Sequence, residues 1–248
     1  MKMKHILNFS SSLCFLLMLT LAQAQEKPSA TSNVEQVADS IPVKKDRYGL
    51  RVGVDLFKLT RGFYDQNYKG IELTGDFRWN KKYYLAAELG NENKTTEDDR
   101  LTSNSKGSYL KAGFDYNMYE NWLDMENIIS IGLRYGFSTF SQELYSYKIY
   151  NPNPYWGELP PIPATQQYNG LSASWIEVVT GMKAKMFNNV CVGFSVQLKT
   201  LVTNKKPEGF DNLYIPGFNR TYNGSFGIGF NYSVTYFVPL YKKKVVVK

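Results

Sequence analysis

Charged side chains recur at alternate positions along several segments of the sequence, interleaved with apolar neighbours. The set holds six acidic and six basic residues: Arg51, Asp55, Glu72, Asp76, Arg78, Glu88, Lys111, Asp115, Arg134, Glu177, Lys183 and Lys199. Carboxylates that lie close together in a protein can act as general acids and bases. Because the two signs are equal in number and interleaved, we predict structural ion pairs rather than a catalytic group.

The chain contains few residues that could supply imidazole or thiol chemistry. His5, the only histidine, and Cys14, one of the two cysteines, lie in the N-terminal segment 1–24 that we predict to be removed, which leaves Cys191 and no histidine. Ser–His and Cys–His nucleophilic sites need a histidine, and so do most zinc and iron sites. We therefore predict a non-enzymatic protein with no cofactor and no metal site. Catalysis by carboxylates alone is the remaining enzymatic alternative.

The charged residues belong to eight segments in which apolar and polar residues alternate with a period of two. Such a period predicts β-strands with one apolar and one polar face. The predicted strands are 47–58, 70–79, 83–91, 107–117, 127–140, 172–186, 190–201 and 224–238. Long connections (59–69, 92–106, 141–171 and 202–223) alternate with shorter ones (80–82, 117–126 and 187–189). This alternation is typical of an antiparallel outer-membrane barrel with long outer loops and short periplasmic turns.

The polar face distinguishes a membrane barrel from a soluble one. A soluble eight-stranded barrel fills its interior with apolar side chains, whereas a membrane barrel turns its apolar face outward. The twelve charged residues share their face with glycines at 53, 113, 132, 136, 181, 193, 227 and 229, which leave room for long side chains in a narrow lumen. We therefore predict an all-β, eight-stranded antiparallel transmembrane up-and-down β-barrel, with a soluble β-domain as the alternative.

Aromatic residues near the predicted strand ends are typical of the two interfacial girdles of such a barrel. The periplasmic set is Trp79, Tyr83, Tyr119, Trp122, Tyr236 and Phe237, and the outer set is Phe57, Phe63, Phe140, Trp175 and Tyr222.

The N-terminal segment has the pattern of a secretory signal peptide. Lys2 and Lys4 precede an apolar run over 13–21, and Ala-Gln-Ala at 22–24 provides a cleavage site. We predict a signal peptide over 1–24, a disordered periplasmic tether over 25–46, the barrel over 47–240 and a basic tail over 241–248. A membrane anchor is the alternative to the signal peptide.

Several long stretches also carry a resemblance: YGLRVGVDLFKLTRGFYDQNYKGIELTGDFRW, YYLAAELGNENKTTEDD, ENWLDMENIISIGLRYGFSTFS and NLYIPGFNRTYNGSFGIGFNYSVTYFVPLYKK. They resemble a family of small Bacteroidota outer-membrane proteins that is classed as a domain of unknown function. The family is similar in architecture to OmpA/OmpX-type eight-stranded barrels. The resemblance implies a barrel in the bacterial outer membrane and carries over no catalytic or binding residue.

The outer loops hold the residues we predict to contact a partner. The loop 141–171 contains half of the ten prolines together with Tyr150, Tyr155 and Trp156. Exposed aromatics on a stiff loop make good contact anchors, and a rigid cap over the barrel is the alternative. We expect a structural or surface-interaction role, with outer-membrane lipid and a surface ligand or envelope protein as partners.

A narrow or gated channel through the charged lumen is the alternative function. Nucleic acid is not an expected partner, because the net charge of +7 is scattered along the chain.

Overall fold

The structure is a computed structural model, and it describes residues 43–119, 127–152, 155, 157, 159–220 and 224–246. The predicted signal peptide and most of the predicted tether lie outside these residues. The described elements, in chain order, are β1 (Val43–Asp55), α1 (Leu56–Tyr64), β2 (Tyr68–Arg78), β3 (Tyr83–Asp98), β4 (Leu101–Asn117), β5 (Ile128–Tyr147), β6 (Ile162–Lys185), β7 (Val190–Asn204) and β8 (Phe226–Val246).

The eight strands form one closed barrel. Each strand pairs antiparallel with the next along the chain, and β1 pairs with β8 to complete the ring. Closure gives every strand two neighbours over most of the barrel wall, so that the paired backbone amides and carbonyls are satisfied without an exposed edge. The prediction of an all-β, eight-stranded, antiparallel up-and-down barrel is confirmed.

The barrel has two different ends. The end that carries the connections 79–82, 118–127 and 186–189, the start of β1 and the finish of β8 is called the turn end. The opposite end, called the loop end, carries α1 and the connections 99–100, 148–161 and 205–225. Four of the strands, β3 to β6, reach well past the predicted limits at the loop end, which makes the two ends unequal.

The predicted loop 92–106 is wrong. β3 and β4 continue as a hairpin in which Gly90 lies opposite Tyr109 and Asp98 lies opposite Leu101, with two residues between the strands. The loop 141–171 is likewise shorter than predicted, since β5 runs to Tyr147 and β6 begins at Ile162. The apolar alternation stops where the outer face becomes polar, but the backbone pairing continues beyond that point.

The first predicted strand ends earlier than expected and is followed by a helix. The Asp55 side chain accepts a hydrogen bond from the Phe57 backbone N–H at 2.7 Å, which caps α1 at its N-terminus. Aspartate is a favoured N-cap residue because its carboxylate satisfies a free helical N–H group. Residues 56–58 are therefore helical and do not belong to a strand.

The barrel boundaries also differ from the predicted 47–240. β1 begins at Val43, within the predicted tether, and β8 continues to Val246, within the predicted basic tail. The two segments pair with each other from Val43 opposite Val246 to Tyr48 opposite Tyr241. Mutual pairing explains why two polar segments without an apolar period are ordered as strands.

The interior is divided into an apolar and a charged zone. The apolar zone is a cluster of buried side chains near the loop end: Tyr109, Phe140, Leu171, Ala173, Trp175, Ile215 and Phe218. Charged and polar side chains fill the lumen below it, toward the turn end. In the part of the chain that the structure describes, no helix has the length and apolar character that a membrane crossing requires.

Candidate functional site

The strand alternation gives the twelve predicted charged residues a shared environment. Ten of them are buried: Arg51, Asp55, Glu72, Asp76, Glu88, Lys111, Asp115, Arg134, Glu177 and Lys199. Arg78 and Lys183 are half-buried. We call the buried ion pairs formed among these side chains the lumen network.

Lys111 on β4 lies at the centre of the lumen network. Its Nζ is 2.9 Å from Glu88 Oε2, 3.4 Å from Glu72 Oε2 and 3.6 Å from Glu177 Oε1. Lys199 on β7 approaches the same Glu177 oxygen at 3.4 Å. A buried charge is tolerated when opposite charges and hydrogen bonds surround it, and these lysines and carboxylates meet that requirement together.

A second group of pairs lies nearer the turn end. Asp76 Oδ1 is 2.6 Å from Arg51 Nε, and its other oxygen is 2.6 Å from Lys183 Nζ. Arg134 is 2.8 Å from Asp115 Oδ1 and 3.7 Å from Glu88 Oε1, which links this group to the centre. The pairs therefore connect strands from around the ring and not only adjacent ones.

Two predicted members lie apart from these pairs. The Asp55 carboxylate caps helix α1, and Oδ1 accepts the Phe57 N–H. Arg78 donates to the Arg47 carbonyl at 2.8 Å and lies 3.8 Å from Asp46 near the turn end.

Two charged residues of the lumen were missed by the sequence analysis. Lys58 on α1 places Nζ 2.7 Å from Glu72 Oε2 and 2.7 Å from Glu92 Oε1, and it also bonds the Tyr109 hydroxyl. Lys58 fell in the predicted first strand and Glu92 in a predicted loop. The one sequence feature that indicates the helix is Asp55, a favoured N-cap residue, directly before the segment LFKLTRGFY. A helix at this point is what brings the Lys58 side chain to the lumen carboxylates.

Residues 214–218, called the plug, fold back into the loop end of the barrel. Ile215 and Phe218 have no exposed surface, and the Phe218 ring packs edge-on against Trp175 at 5.8 Å between ring centroids. Gly217 donates its N–H to Glu92 Oε2 at 3.0 Å and accepts from Lys199 Nζ at 2.7 Å. The plug thus joins the apolar cluster to the lumen network through its own backbone.

Three of the predicted girdle aromatics point inward, so their assignment is wrong. Trp175 has no exposed surface and donates its indole N–H to Glu177 Oε1 at 2.7 Å. Phe140 is buried in the apolar cluster, and Phe237 is buried with the Arg47 guanidinium 5.3 Å from its ring centroid. Successive side chains of a strand point to opposite faces, and these three residues occupy the positions of the inner face. Gly136 accommodates Trp175, since a Cβ there would lie 2.2 Å from the indole.

The other girdle residues differ in exposure. Trp79, Tyr83 and Tyr236 are exposed at the turn end, and Phe63 is exposed at the loop end. Phe57 and Tyr119 are half-buried, and Trp122 and Tyr222 lie outside the described residues.

The predicted loop contacts are only partly placed. Tyr150 is 65% exposed, with the Arg100 guanidinium 4.5 Å from its ring centroid. Tyr155 is 80% exposed, and Trp156 lies outside the described residues.

The outer surface of the barrel is apolar on all eight strands. The residues concerned are 38–56% exposed: Leu50, Val52, Leu73, Leu85, Leu89, Leu110, Phe114, Ile129, Ile131, Leu133, Phe137, Ile176, Val178, Phe194, Val196, Leu198, Ile228 and Phe230. A monomeric soluble protein rarely exposes a contiguous apolar patch larger than a few hundred Å². A belt that encircles the molecule is the surface chemistry of a lipid-facing barrel.

The strands β3 to β6 extend past this belt at the loop end. Residues 162–171 of β6 pair with β5 on one side, and the pairing of β6 with β7 begins only at Ala173. The extension therefore presents one strand edge that is not paired within the described residues. Gln142 holds the plug-bearing loop against this extension, since its side chain donates to the Asp211 carbonyl and accepts from the Leu213 N–H.

No curated protein matches the chain. The solved structure of Ail, the attachment invasion locus protein of Yersinia pestis, is similar with a TM-score of 0.40 and 10% sequence identity, covering 77% of this chain and 97% of that one. The family model described as a domain of unknown function, DUF6048, matches residues 6–243. Since this match extends over nearly the whole sequence, the chain belongs to the DUF6048 family.

Proposed function

We propose that this protein is a closed, non-enzymatic barrel of the bacterial outer membrane that presents its loop end for contact with other molecules at the cell surface. The observation that carries the proposal is the apolar belt outside a charged, ion-paired lumen. A membrane barrel requires this inside-out arrangement, because lipid surrounds the wall and charges need partners within. The long loop end then faces the outside of the cell.

The contact role is supported by the extension of β3 to β6. A strand edge left unpaired can accept an extended segment of another protein as an additional strand, through backbone hydrogen bonds. Residues 162–171 offer such an edge, and Pro163 within it limits pairing at its start, because proline lacks an N–H donor. A surface ligand or an envelope protein that supplies an extended segment is the expected kind of partner.

The non-enzymatic part of the proposal is supported by the lumen chemistry. The carboxylates Glu72, Glu88 and Glu177 all lie within 3.6 Å of the Lys111 ammonium group. One oxygen of each carboxylate is thus engaged by the same cation. The enclosed void beside Lys58 and Lys199 has a volume of about 10 Å³, which is room for about one water molecule.

The channel alternative receives less support from the same contacts. Conduction would require Lys111, Lys199 and the plug to leave positions that their ion pairs and hydrogen bonds stabilise. We expect planar lipid bilayers containing the purified protein to remain silent. Resolved currents that are abolished by Arg134→Ala or Glu88→Ala would support the channel and contradict the closed barrel.

Labelling on intact cells tests which end faces the outside. Gln166→Cys places a thiol on the exposed edge strand of the loop end, and Lys81→Cys places one at the turn end, where Lys81 is about half-exposed. The native Cys191 is buried and gives a low background. A maleimide that cannot cross membranes is expected to label the first variant on intact cells and the second only after permeabilisation. The reverse pattern would contradict the proposed orientation.

A further inference from the structure

The barrel wall has a break beside β1. This strand ends at Asp55, whereas its two neighbours continue toward the loop end. On the side that faces β1, residues 226–232 of β8 and residues 68–72 of β2 therefore have no strand partner. We call this break the seam, and helix α1 lies in it, in contact with both strands.

The contacts of α1 fill the seam between β8 and β2. The Phe57 ring packs on Phe230 at 4.5 Å between centroids, and the Thr60 hydroxyl bonds the Tyr232 hydroxyl at 2.6 Å. On the inner side, Lys58 bonds Glu72 at 2.7 Å. The helix therefore joins the outer belt through Phe57 and the lumen network through Lys58.

A cleft of about 540 Å³ lies beside α1 at the loop end, between the helix, β3, β8 and the connection that carries the plug. We call it the seam cleft. This volume lies within the roughly 300–1,000 Å³ typical of small-molecule sites. Phe57, Ile228 and Phe230 form its apolar part. Because Ile228 and Phe230 are 50% and 51% exposed and belong to the apolar belt, the cleft is continuous with the lipid-facing surface.

The other part of the cleft carries positive charge. Arg61, Lys94 and Arg220 line it, and Glu97 is the one carboxylate among its described lining residues. The Asp65 carboxylate behind the lining is shared by two cations, at 2.8 Å from Lys94 Nζ and 3.3 Å from Arg61 Nε.

Asp65 remains an anion between these two partners. Burial would raise the pKa of its carboxyl, but the hydrogen bonds and charges of Lys94 and Arg61 lower that pKa below its ordinary value. Asp65 balances only one of these two cations, so Arg61 and Lys94 together carry more positive charge than the carboxylate between them. Arg220 lies 3.6 Å from Asp98 in a largely exposed pair, which contributes little and can exchange its partner for a ligand.

We propose that the seam cleft binds an anionic, phosphorylated lipid of the surrounding leaflet. The acyl chain would lie against Phe57, Ile228 and Phe230, and the phosphate would face Arg61, Lys94 and Arg220. A guanidinium fork matches phosphate oxygens in a bidentate manner, and the lysine adds a point charge. A free phosphate would leave the apolar part unused, and a neutral lipid would leave the cations unused. The proposal rests on the membrane location proposed above.

A titration in non-ionic detergent micelles tests this binding. The probe is dioctanoyl phosphatidic acid, which combines short acyl chains with a phosphate, and the readout is the NMR shift of the Lys94 and Gly229 amides at the cleft. Inorganic phosphate and dioctanoylglycerol serve as separate probes of the two halves. We expect saturable binding of the phosphatidic acid and much weaker binding of either half. Equal affinity for inorganic phosphate or for dioctanoylglycerol would overturn the proposal.

Substitutions locate the binding. The double variant Lys94→Gln/Arg220→Gln is expected to weaken phosphatidic acid binding about tenfold or more, since each cation supplies a charge-assisted contact. Ile228→Ser is expected to weaken it as well, because the acyl contact is lost. Lys106→Gln removes an exposed lysine on β4 that does not line the cleft, and it is the control. Unchanged affinity in the double variant would overturn the proposal.

Failure here is distinguishable from failure of the proposed function. Surface labelling and spin-label accessibility report the membrane location and do not depend on the cleft. A protein that passes those tests but binds no phosphatidic acid is a membrane barrel without this lipid site.

Discussion

Lys111 shows how single residues hold the lumen together. Its ammonium group serves Glu72, Glu88 and Glu177, which come from three different strands. Removing this one cation leaves three buried carboxylates short of positive charge, because Lys58, Arg134 and Lys199 each approach only one of them. The cost of an unpaired buried charge exceeds the stabilisation that an ordinary pair contributes, because desolvation is no longer compensated.

We expect Lys111→Met to lower the free energy of unfolding by about 3–5 kcal/mol, the range for breaking a buried ion pair. Guanidinium-induced unfolding in detergent micelles, followed by tryptophan fluorescence, measures the change. Lys106→Met is the matched control, because Lys106 lies on the same strand and is exposed. The control should change stability by no more than about 0.5 kcal/mol. Equal unfolding midpoints for the two variants would show that the lumen charges are not coupled as described.

Trp175 and Lys58 lie in positions that the sequence analysis did not predict. The period of two places Glu177 and Trp175 on one face, so the inward position of Trp175 follows from the same pattern that predicts Glu177. Assigning Trp175 to a girdle by its residue type alone was the error. Lys58 could not be placed by a strand period, because the backbone changes to a helix at Leu56. The partners of each charge depend on the register between strands, which the sequence does not specify.

The plug is the element whose conformation depends most on one residue. Gly217 has a φ of +81°, and a Cβ there would lie 2.6 Å from Tyr109 Cγ. Positive φ is costly for residues with a Cβ, and the close ring adds a steric clash. Gly209 in the same connection has a φ of +72° with no heavy atom near its Cβ position. A substitution at Gly209 therefore adds backbone strain alone, whereas a substitution at Gly217 adds both backbone strain and a steric clash.

We expect Gly217→Ala to displace the plug and Gly209→Ala to leave it in place. The measurement is hydrogen exchange of the Ile215, Phe218 and Asn219 amides, each of which donates a backbone hydrogen bond within the plug or at its end. Exchange should become faster in Gly217→Ala and stay near the native rate in Gly209→Ala. Equal protection in both variants would contradict the tight packing of the plug on Tyr109.

The sequence predicted the strands where their outer face is apolar, but it did not predict the polar extensions at the loop end. Each of the eight predicted strands corresponds to an observed strand, because lipid-facing alternation is a strong local signal. The extensions of β3 to β6 have polar residues on both faces and therefore resemble loops in sequence. Their order depends on pairing with a neighbour, as in the hairpin from Gly90 to Tyr109.

The two sides of the barrel wall have opposite chemistry. Inside, charges pair with charges; outside, a belt of aliphatic and aromatic side chains surrounds all eight strands. The seam beside β1 is the place where the wall is incomplete and where a helix replaces strand pairing. The closed ring, the lumen network and the seam each require several strands together, so no single segment of the sequence specifies them.

Spin labels on neighbouring residues of β7 show which side of the barrel wall faces lipid. Phe194 is 47% exposed on the outer face, whereas the Ser195 hydroxyl donates to Asn231 Oδ1 at 2.6 Å. In a Cys191→Ser background reconstituted into lipid vesicles, labels at Phe194→Cys and Ser195→Cys are compared by electron paramagnetic resonance. We predict that the first collides frequently with oxygen dissolved in the acyl chains and rarely with a water-soluble nickel reagent, and that the second collides less with oxygen. Frequent collisions of the Phe194 label with the nickel reagent would contradict the lipid-facing wall.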